Sequence, residues 1–246
     1  MTARLCLNAI VKNEAARIER MLASVVPHIA CWAIVDTGST DGTQTMIRRF
    51  FSDRGIPGWL DEQPFVDFST TRNAALDYAQ KMLAIRLPRA DYLLLMDADM
   101  ELVVEDPAWA DNLTAPAYRM LQRTTALSYW NTRLLRFRAI ARYVGWTHEY
   151  LSVVGETENL GGVHFIDHAD GSNRPGKFER DTALLQAEIA PTARAWFYLA
   201  QSLKDMGDLR GAAEAYSVRA SLGGGSEEAW YAKLMQARCV RDLGSV

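Results

Sequence analysis

Two aspartates, Asp97 and Asp99, follow directly after the apolar run 92–96 and are separated only by Ala98. A continuous apolar run is typical of a buried strand, and open α/β sheets bind ligands beyond the carboxyl ends of their strands. Alternate side chains of an extended chain point the same way, so both carboxylates would face one spot. Such a pair suits Mg²⁺ or Mn²⁺ together with a diphosphate. The alternative is an acidic turn that caps the next element.

A second polar group, Asp-Thr-Gly-Ser-Thr-Asp-Gly-Thr, follows the apolar run 31–35. Its first residue, Asp36, ends the predicted strand and can accept a hydrogen bond from the imide N–H of a nucleobase. Gly38 permits a tight turn, and a side chain within 39–41 can cap the following helix. Capping accounts for the polar residues of this turn, but it does not account for an aspartate directly after the strand.

The elements that must position these groups alternate between strand and helix. Apolar rather than alternating strands favour a mostly parallel, covered sheet, as in α/β proteins. The pattern predicts strands over 5–11, 31–35, 59–63 and 92–96, and helices over 13–26, 43–51 and 70–85. Antiparallel strands are predicted over 118–129 and 132–137, with Asn131 at the turn, and a short strand over 163–167.

Beyond residue 178 the pattern is helical. Trp196 and Trp230 are 34 residues apart, which is the tetratricopeptide period. The residues between them follow the large and small packing pattern of two antiparallel helices: Leu199, Ala200, Leu203, Gly207, Ala212 and Tyr216. A plain helical hairpin is the alternative, because a stable array needs about three units. We predict an α/β domain over 1–185 and a tetratricopeptide-like helical segment over 186–246.

Composition and charge argue against several classes of protein. The 246 residues carry a formal net charge of −3 without a basic stripe, so a nucleic-acid partner is not expected. The three cysteines are far apart, which indicates buried free thiols rather than a disulfide framework or a zinc site: Cys6, Cys31 and Cys239. A signal-peptide core and a long uncharged apolar run are both lacking, so we predict a cytoplasmic protein without an integral membrane segment.

Four short motifs occur in order along the chain. They are Ile-Val-Lys-Asn-Glu at 10–14, Val-Asp-Thr-Gly-Ser-Thr-Asp-Gly-Thr at 35–43, Arg-Asn-Ala-Ala at 72–75 and Asp-Ala-Asp at 97–99. This series resembles the family-2 glycosyltransferases, in particular small soluble members fused to tetratricopeptide repeats. The resemblance implies a GT-A fold, with helices on both faces of a mostly parallel sheet. It also implies a metal-dependent, inverting hexosyltransferase that uses a UDP- or GDP-sugar donor.

The resemblance assigns six residues to the donor site. They are Val11 and Glu14 beside the nucleoside, Asp36 at the base, Arg72 near the base or diphosphate, Asp97 at the ribose or sugar, and Asp99 at the metal. Asp97 is also a candidate metal ligand. Arg72 can equally be a surface residue near the start of a helix, and the residues alone leave that alternative open.

The segment Trp-Thr-His-Glu at 146–149 resembles a Trp-x-x-His-Glu segment common in this subgroup. An inverting transfer needs a group that takes the acceptor proton. Glu149 is the candidate base, and His148 is a candidate catalytic residue and a candidate ligand of the metal or the diphosphate. The alternative is a half-buried strand whose polar residues meet solvent.

A further histidine, His168, begins the segment His-Ala-Asp-Gly. Relatives often show His-x-Gly-Tyr before a basic helix, and this chain lacks the tyrosine and has one extra residue. His168 is a candidate metal ligand by that resemblance. Downstream, Lys177 and Arg180 are candidates to close over the diphosphate, the alternative being solvated helix charges.

The expected acceptor is a peptide, a protein or a glycan, which the helical segment would present; a homodimer through that segment is the other role we consider. Two rival functions remain. A nucleotidyltransferase also uses paired aspartates and Mg²⁺, but it usually has a glycine-rich loop near the N-terminus, and residues 11–16 lack one. A non-catalytic tetratricopeptide scaffold with a vestigial nucleotide-sugar fold would need no metal.

Overall fold

The computed structural model describes residues 1–171, 176–188, 190–224 and 226–244. These residues form two compact units. The first comprises 1–66, 70–143 and 150–171, and the second comprises 67–69, 144–149 and the described residues from 176 onward. The two units are described separately below.

The described residues contain ten strands. They are β1 (Leu5–Val11), β2 (Ile29–Asp36), β3 (Gly58–Glu62), β4 (Tyr92–Leu95), β5 (Met100–Val104), β6 (Ala117–Arg123), β7 (Ser128–Arg136), β8 (Ala141–Val144), β9 (Tyr150–Val153) and β10 (Thr157–Asp167). Eight of them form one sheet in the order β3-β2-β1-β4-β7-β6-β10-β5, and β8 pairs with β9.

The first four strands of this sheet, β3, β2, β1 and β4, are all parallel. On the other side of β4, the strand β7 runs antiparallel to both β4 and β6. Next to β6, β10 is parallel to β6 and antiparallel to β5. The predicted mostly parallel α/β sheet is confirmed, and its antiparallel part begins where β7 joins β4.

Three helices cover the sheet: α1 (Ile18–Val25), α2 (Thr43–Ser52) and α3 (Phe68–Ile85). The apolar faces of α1 and α2 join one buried cluster, which also contains Leu7 and Leu94. Residues of α3 join a second cluster, which contains Cys6 and Leu93. Neighbouring residues of one strand thus pack on opposite faces, so these strands are apolar throughout and each buried leucine contributes roughly 1.5–3 kcal/mol.

Two predicted boundaries were wrong. The helix predicted over 13–26 begins only at Ile18, because Asn13 has a left-handed backbone with φ of 55°. The turn between β6 and β7 lies at 124–127 and not at Asn131, which is within β7. There the Thr124 hydroxyl accepts hydrogen bonds from the amides of Ala126 (3.2 Å) and Leu127 (3.0 Å). A threonine-capped turn of this kind gives a weak sequence signal.

We predict that Gly58→Ala destabilises the first unit by about 1–3 kcal/mol, because a Cβ at this position would overlap the indole ring of Trp32. That indole cannot easily move, since it stacks on Phe51 at 4.6 Å and donates a hydrogen bond to the carbonyl of Ile56. Urea unfolding measures the loss. Gly161→Ala is the control, because its Cβ would meet open space; equal losses in the two variants would contradict the steric explanation.

The second unit contains four helices within its described residues: α4 (Lys177–Ala187), α5 (Ala193–Asp205), α6 (Leu209–Ser221) and α7 (Ser226–Leu243). The side chains of Thr192 and Asp208 cap α5 and α6. Five residues of the predicted repeat pattern are buried: Leu199, Ala200, Leu203, Ala212 and Tyr216. Trp196 is partly buried, whereas Trp230 is 63% exposed, so the two tryptophans are not equivalent in packing.

The tetratricopeptide character of this unit stays a prediction, as does the domain boundary at residue 185, which falls inside α4. All three cysteines are free and buried, as predicted. Within the described residues, none of the helices has the length and apolar composition that crossing a bilayer would require.

Candidate functional site

The loops that follow β1 and β2 are joined by hydrogen bonds between backbone and side chains. The Asn13 amide donates to Ser39 Oγ at 2.8 Å, and the Asn13 side chain accepts from the Thr40 amide at 2.8 Å. Further along the same two loops, the Ala15 amide donates a hydrogen bond to Asp41 Oδ2 at 2.9 Å. Because these contacts link residues on both loops, the carboxyl ends of the two strands form one fixed cradle.

Asp36 lies at the floor of this cradle and is fully buried. Its Oδ1 accepts hydrogen bonds from the amides of Gly38 (2.9 Å) and Ser39 (2.8 Å) and from Gln44 Nε2 (2.8 Å). Gly38 has φ of 98°, a conformation that glycine adopts without strain. The second oxygen, Oδ2, is buried without a hydrogen-bond partner among the described residues. A buried acceptor without a donor is costly, so this oxygen is suited to a ligand N–H.

Val11 and Glu14 border the same cradle. The Val11 carbonyl accepts from both the amide (2.9 Å) and the hydroxyl (3.1 Å) of Thr37, which fastens β1 to β2. Glu14 is buried, and its amide donates to the Thr43 hydroxyl at 2.8 Å. Its carboxylate lies 3.8 Å from the guanidinium of Arg17. The two residues therefore lie where the resemblance expects the nucleoside, and their contact with one stays a prediction.

Asp97, at the end of β4, is held between two arginines. Arg72 Nη2 lies 2.5 Å from Oδ1, and Arg133 Nη1 lies 3.1 Å from Oδ2. Burial raises the pKa of Asp97, but the two guanidinium groups outweigh it and hold this pKa well below its usual range. Asp97 is therefore ionised at neutral pH. The Arg72 side chain is only 13% exposed, so it is not the solvated helix residue that the sequence left as an alternative.

Three residues that were not predicted from the sequence form a hydrogen-bonded series that starts at Asp97: Arg133 on β7, Gln122 on β6 and Asp167 on β10. Arg133 donates to Gln122 Oε1 through Nε (3.3 Å) and Nη2 (3.0 Å), and Gln122 Nε2 donates to Asp167 Oδ2 at 3.0 Å. Arg133 and Gln122 are buried. These side chains form a polar network across three strands, ending at Asp97. The sequence signal that could have identified them is a charged or amide residue inside a largely apolar strand.

Asp99 has a different environment from Asp97. Its pKa is raised, first by burial and then by the negative charges of Asp97 and Asp167. The Gly171 amide donates to Asp99 Oδ2 at 3.2 Å, and a Cβ on residue 171 would lie 2.9 Å from that oxygen. Glycine at 171 therefore allows the backbone to come close to this carboxylate. The region around Asp99 is negative, and a cation would relieve the repulsion.

No three acidic, histidine or cysteine side chains of the described residues converge closely enough to hold a metal by themselves. Asp99 supplies hard carboxylate oxygens in a negative region, while both oxygens of Asp97 already pair with arginines. Magnesium-like cations are commonly held by one or two carboxylates, with substrate phosphates and water completing the shell. These residues thus fit a cation that arrives with a diphosphate, with Asp99 as its main protein ligand.

The segment 168–171 lies against Asp99 through its backbone. The His168 amide donates to the Asp99 carbonyl at 3.1 Å, while the His168 ring lies 3.0 Å from Glu101 Oε2. Asp170 binds the Arg20 guanidinium through both oxygens, at 2.8 and 3.2 Å. These contacts fasten the segment to α1. The role of His168 as a metal ligand stays a prediction.

The other four predicted site residues, His148, Glu149, Lys177 and Arg180, belong to the second unit. The His148 ring stacks on Tyr198, with centroids 3.9 Å apart and planes 4° from parallel. Asp181 Oδ2 lies 4.0 Å from His148 Nε2, and Asp181 Oδ1 pairs with Arg180. Burial, followed by the charge of Lys177, lowers the pKa of His148 to about 4. His148 is therefore neutral at pH 7, and a neutral imidazole nitrogen is able to bind a metal.

Residues 9–106 match the family model described as glycosyl transferase family 2. The matched segment makes up 98 of the 246 residues, and over this part the chain is similar to the family-2 glycosyltransferases. The matched segment contains both loops of the cradle as well as Asp36, Arg72, Asp97 and Asp99. The family-2 match thus extends over the parallel half of the sheet. Arg133, Gln122 and Asp167 lie beyond it, as do all candidate residues of the second unit.

Two comparisons with individual proteins extend this finding. A tetratricopeptide repeat-containing protein from Synechococcus elongatus is 33% identical over 109 residues, which are 44% of this chain and 23% of that protein. The crystal structure of TarS from S. aureus superposes with a TM-score of 0.55 and 10% identity, covering 97% of this chain and 54% of TarS. This likeness shows a shared fold. The chain spans about a quarter of the first relative and about half of TarS.

We predict that His148 makes stability fall in mild acid. Because its pKa is about 4 in the folded protein and about 6.5 in the unfolded chain, only the unfolded chain gains a proton between these values. The unfolding free energy should therefore fall by about 1–3 kcal/mol as the pH drops from 6.5 to 4. His148→Asn tolerates the left-handed backbone and should remove that part of the decline.

Denaturant titrations at several pH values measure this difference between the wild type and His148→Asn. Between pH 7.5 and 8.5 the difference should be constant, because histidine is neutral in both states there. An unchanged decline in the variant below pH 6.5 would contradict the assignment to His148.

Proposed function

We propose that this protein transfers a sugar from a nucleotide-diphosphate donor to an acceptor. The observation that carries the proposal is the placement of two acidic groups, the buried Asp36 and the partly buried Asp99, at one edge of the sheet. Asp36 ends β2 and Asp99 follows β4, and these strands flank β1. The two strands are two strand spacings apart, which is roughly 10 Å. The base and the phosphates of a nucleotide diphosphate lie about this far apart. The base requires a hydrogen-bond acceptor, and the phosphates require a cation.

Base recognition would rest on Asp36 Oδ2, for which the described part of the chain offers no hydrogen-bond donor. Uracil and guanine each present a ring N–H that this oxygen can accept. Cytosine presents a lone pair at the corresponding ring nitrogen, which an ionised carboxylate repels. We therefore expect UDP- or GDP-sugars to bind and CDP-sugars to be rejected. Val11 and Glu14 would border the nucleoside, and Asp97 the ribose or sugar.

The diphosphate would lie beside Asp99. A bound Mn²⁺ or Mg²⁺ would neutralise the charge that develops on the departing diphosphate. Asp99 would hold the cation, and Asp97, His148 and His168 are the further ligands we propose. Arg72, fixed on Asp97, would bring a permanent positive charge to the same region. Lys177 and Arg180 would contact the diphosphate as the donor binds.

Glu149 would take the proton from the acceptor, and the reaction would proceed with inversion. This assignment rests on the resemblance of the segment 146–149 to Trp-x-x-His-Glu, which lies beyond the residues that the family model matches. The acceptor would be a peptide, a protein or a glycan. The Synechococcus relative is described as repeat-containing, which supports a repeat-like second unit that presents the acceptor or forms a homodimer.

Thermal shift with nucleotides and Mn²⁺ tests this proposal. UDP or GDP at 100 times Kd should raise the Tm by about 5–10 °C in the presence of Mn²⁺. CDP is the matched control and should give little shift, because it differs from UDP only in the base. Equal shifts with CDP would contradict the role of Asp36. No shift with any nucleotide would favour the non-catalytic scaffold.

We predict that Asp36→Asn weakens the binding of the preferred nucleotide by about 10-fold or more. In this variant, the side-chain oxygen can still accept hydrogen bonds from the amides of Gly38 and Ser39. The side-chain NH₂ group then faces the N–H of the ligand, so two donors meet. Isothermal titration with UDP and GDP measures the loss. Asp61→Asn, near the end of neighbouring β3, is the control and should bind like the wild type. Unchanged affinity in Asp36→Asn would contradict base recognition by this carboxylate.

A further inference from the structure

The segment 144–149, which carries the candidate base, is held by a helix of its own compact unit. Tyr198 on α5 stacks on the His148 ring at 3.9 Å with nearly parallel planes. Arg194, one turn earlier on α5, donates to the His148 carbonyl through Nε at 3.3 Å and Nη2 at 3.2 Å. The same guanidinium lies 4.8 Å from the centroid of the Tyr198 ring. Two residues of α5 therefore fix both the ring and the carbonyl of His148.

The His148 carbonyl belongs to the peptide group that leads into Glu149. Because a peptide group is planar, a double hydrogen bond to this oxygen also fixes the orientation of the Glu149 amide and Cα. The hydrogen bonds from Arg194 thus fix the backbone of Glu149 up to its Cα, the atom to which its side chain is attached. Glu149 itself is only partly buried. Its placement depends on the backbone that carries it.

The backbone at His148 is strained. Its φ of 49° lies in the left-handed region, which costs a residue with a Cβ roughly 1–2 kcal/mol. Such conformations persist where the surroundings hold them, and they cluster at functional sites. Here Thr147 is buried, and the Trp146 carbonyl accepts from the Phe68 amide at 3.1 Å. Together with α5, these contacts hold the segment in one conformation.

We propose that Tyr198 and Arg194 are positioning residues for the transfer reaction, which hold the His148–Glu149 backbone so that Glu149 is oriented to accept a proton. This inference rests on the proposed function, in which Glu149 is the base. It gives α5 a catalytic task in addition to any part in binding an acceptor. Tyr198 acts through the flat face of its ring, so phenylalanine should replace it.

The test compares Tyr198→Ala, Tyr198→Phe and Tyr231→Ala in the full chain. Tyr231 is the matched control, because its ring packs on Phe197 in the same unit, at 5.9 Å. Hydrogen exchange of peptides covering 144–149 reports on the segment, and hydrolysis of a UDP- or GDP-sugar by water reports on catalysis. We expect Tyr198→Ala to speed exchange in 144–149 and to lower kcat about 10- to 100-fold, with the donor KM changed less than about 3-fold.

Tyr198→Phe should keep wild-type exchange and kcat within about 3-fold, and Tyr231→Ala should leave both unchanged even if its Tm falls. The inference is overturned if Tyr198→Ala leaves the exchange of 144–149 or the kcat unchanged, or if Tyr231→Ala matches it in both. Glu149→Gln separates the two proposals. If that variant is fully active, the base assignment fails, whereas faster exchange in Tyr198→Ala would still show that α5 holds the segment.

Discussion

Asp99→Asn should lower the rate of sugar transfer at least about 10³-fold without unfolding the protein. The loss corresponds to about 4 kcal/mol of transition-state stabilisation, a reasonable share for a residue that holds the metal at the leaving group. Stability should be equal to or slightly above that of the wild type. The raised pKa of Asp99 means that its ionised form is disfavoured by burial and by Asp97 and Asp167, so a neutral amide removes repulsion.

The measurements for Asp99→Asn are Mn²⁺-dependent hydrolysis of a nucleotide-sugar and the Tm with and without Mn²⁺ and nucleotide. The variant should lose the metal-dependent part of the stabilisation and keep its Tm in the absence of metal. Asp91→Asn is the control, because Asp91 precedes the opposite end of β4 and accepts a hydrogen bond from the Arg4 amide. Metal-dependent activity that survives in Asp99→Asn, or disappears equally in Asp91→Asn, would rule out this role.

The parallel half of the sheet could be predicted because its signals are local. Each strand is a continuous apolar run, and each is followed within a few residues by a polar turn or a helix. Asp36 and Asp97 come at strand ends for this reason, and a strand end in a parallel sheet fixes the edge at which a side chain emerges. The position of Asp99 follows from the same argument. What each carboxylate does there depends on partners that the local pattern does not reveal.

The network behind Asp97 could not be predicted because it is made by pairing between distant segments. Gln122 meets Asp167 across 45 residues of chain, and their contact depends on the parallel pairing of β6 with β10. The register between β6 and β7 also shifts beside Tyr118, close to Arg133. A shift of one residue changes the face on which a side chain lies. With the turn predicted at Asn131, the pairing of β7 would differ, and the position of Arg133 relative to Asp97 would not have been predicted correctly.

The contacts of His148 could not be predicted from the sequence for another reason. The sequence left a half-buried strand with solvent-exposed polar residues as the alternative to a catalytic role for His148 and Glu149. The structure instead packs His148 against α5, some 50 residues further along. In α5, Trp196 and Leu199 were interpreted as repeat packing residues. Tyr198, which lies between them and was not singled out, contacts the candidate catalytic segment. Repeat patterns predict which residues pack within a helical pair, and they carry no information about contacts outside it.

Glu149→Gln should lower kcat about 10²- to 10⁴-fold while leaving donor binding unchanged. The amide has nearly the shape of the carboxylate but cannot take a proton, so only the step that activates the acceptor is lost. Because donor and metal are assigned to other residues, the Kd for UDP or GDP with Mn²⁺ should stay within about 3-fold of the wild type. Asp99→Asn should show the reverse combination, with nucleotide binding no longer dependent on metal.

Glu179→Gln, an exposed glutamate in the first turn of α4, controls for the loss of a negative charge in the same unit and should be fully active. Stopped-assay hydrolysis of the preferred nucleotide-sugar gives kcat and KM for both variants. Full activity in Glu149→Gln, with Asp99→Asn inactive, would keep the donor site and remove Glu149 from the mechanism. Weaker nucleotide binding in Glu149→Gln would instead assign this residue to the donor. Comparing Glu149→Gln with Asp99→Asn thus separates donor binding from proton transfer, two roles that the fold alone does not distinguish.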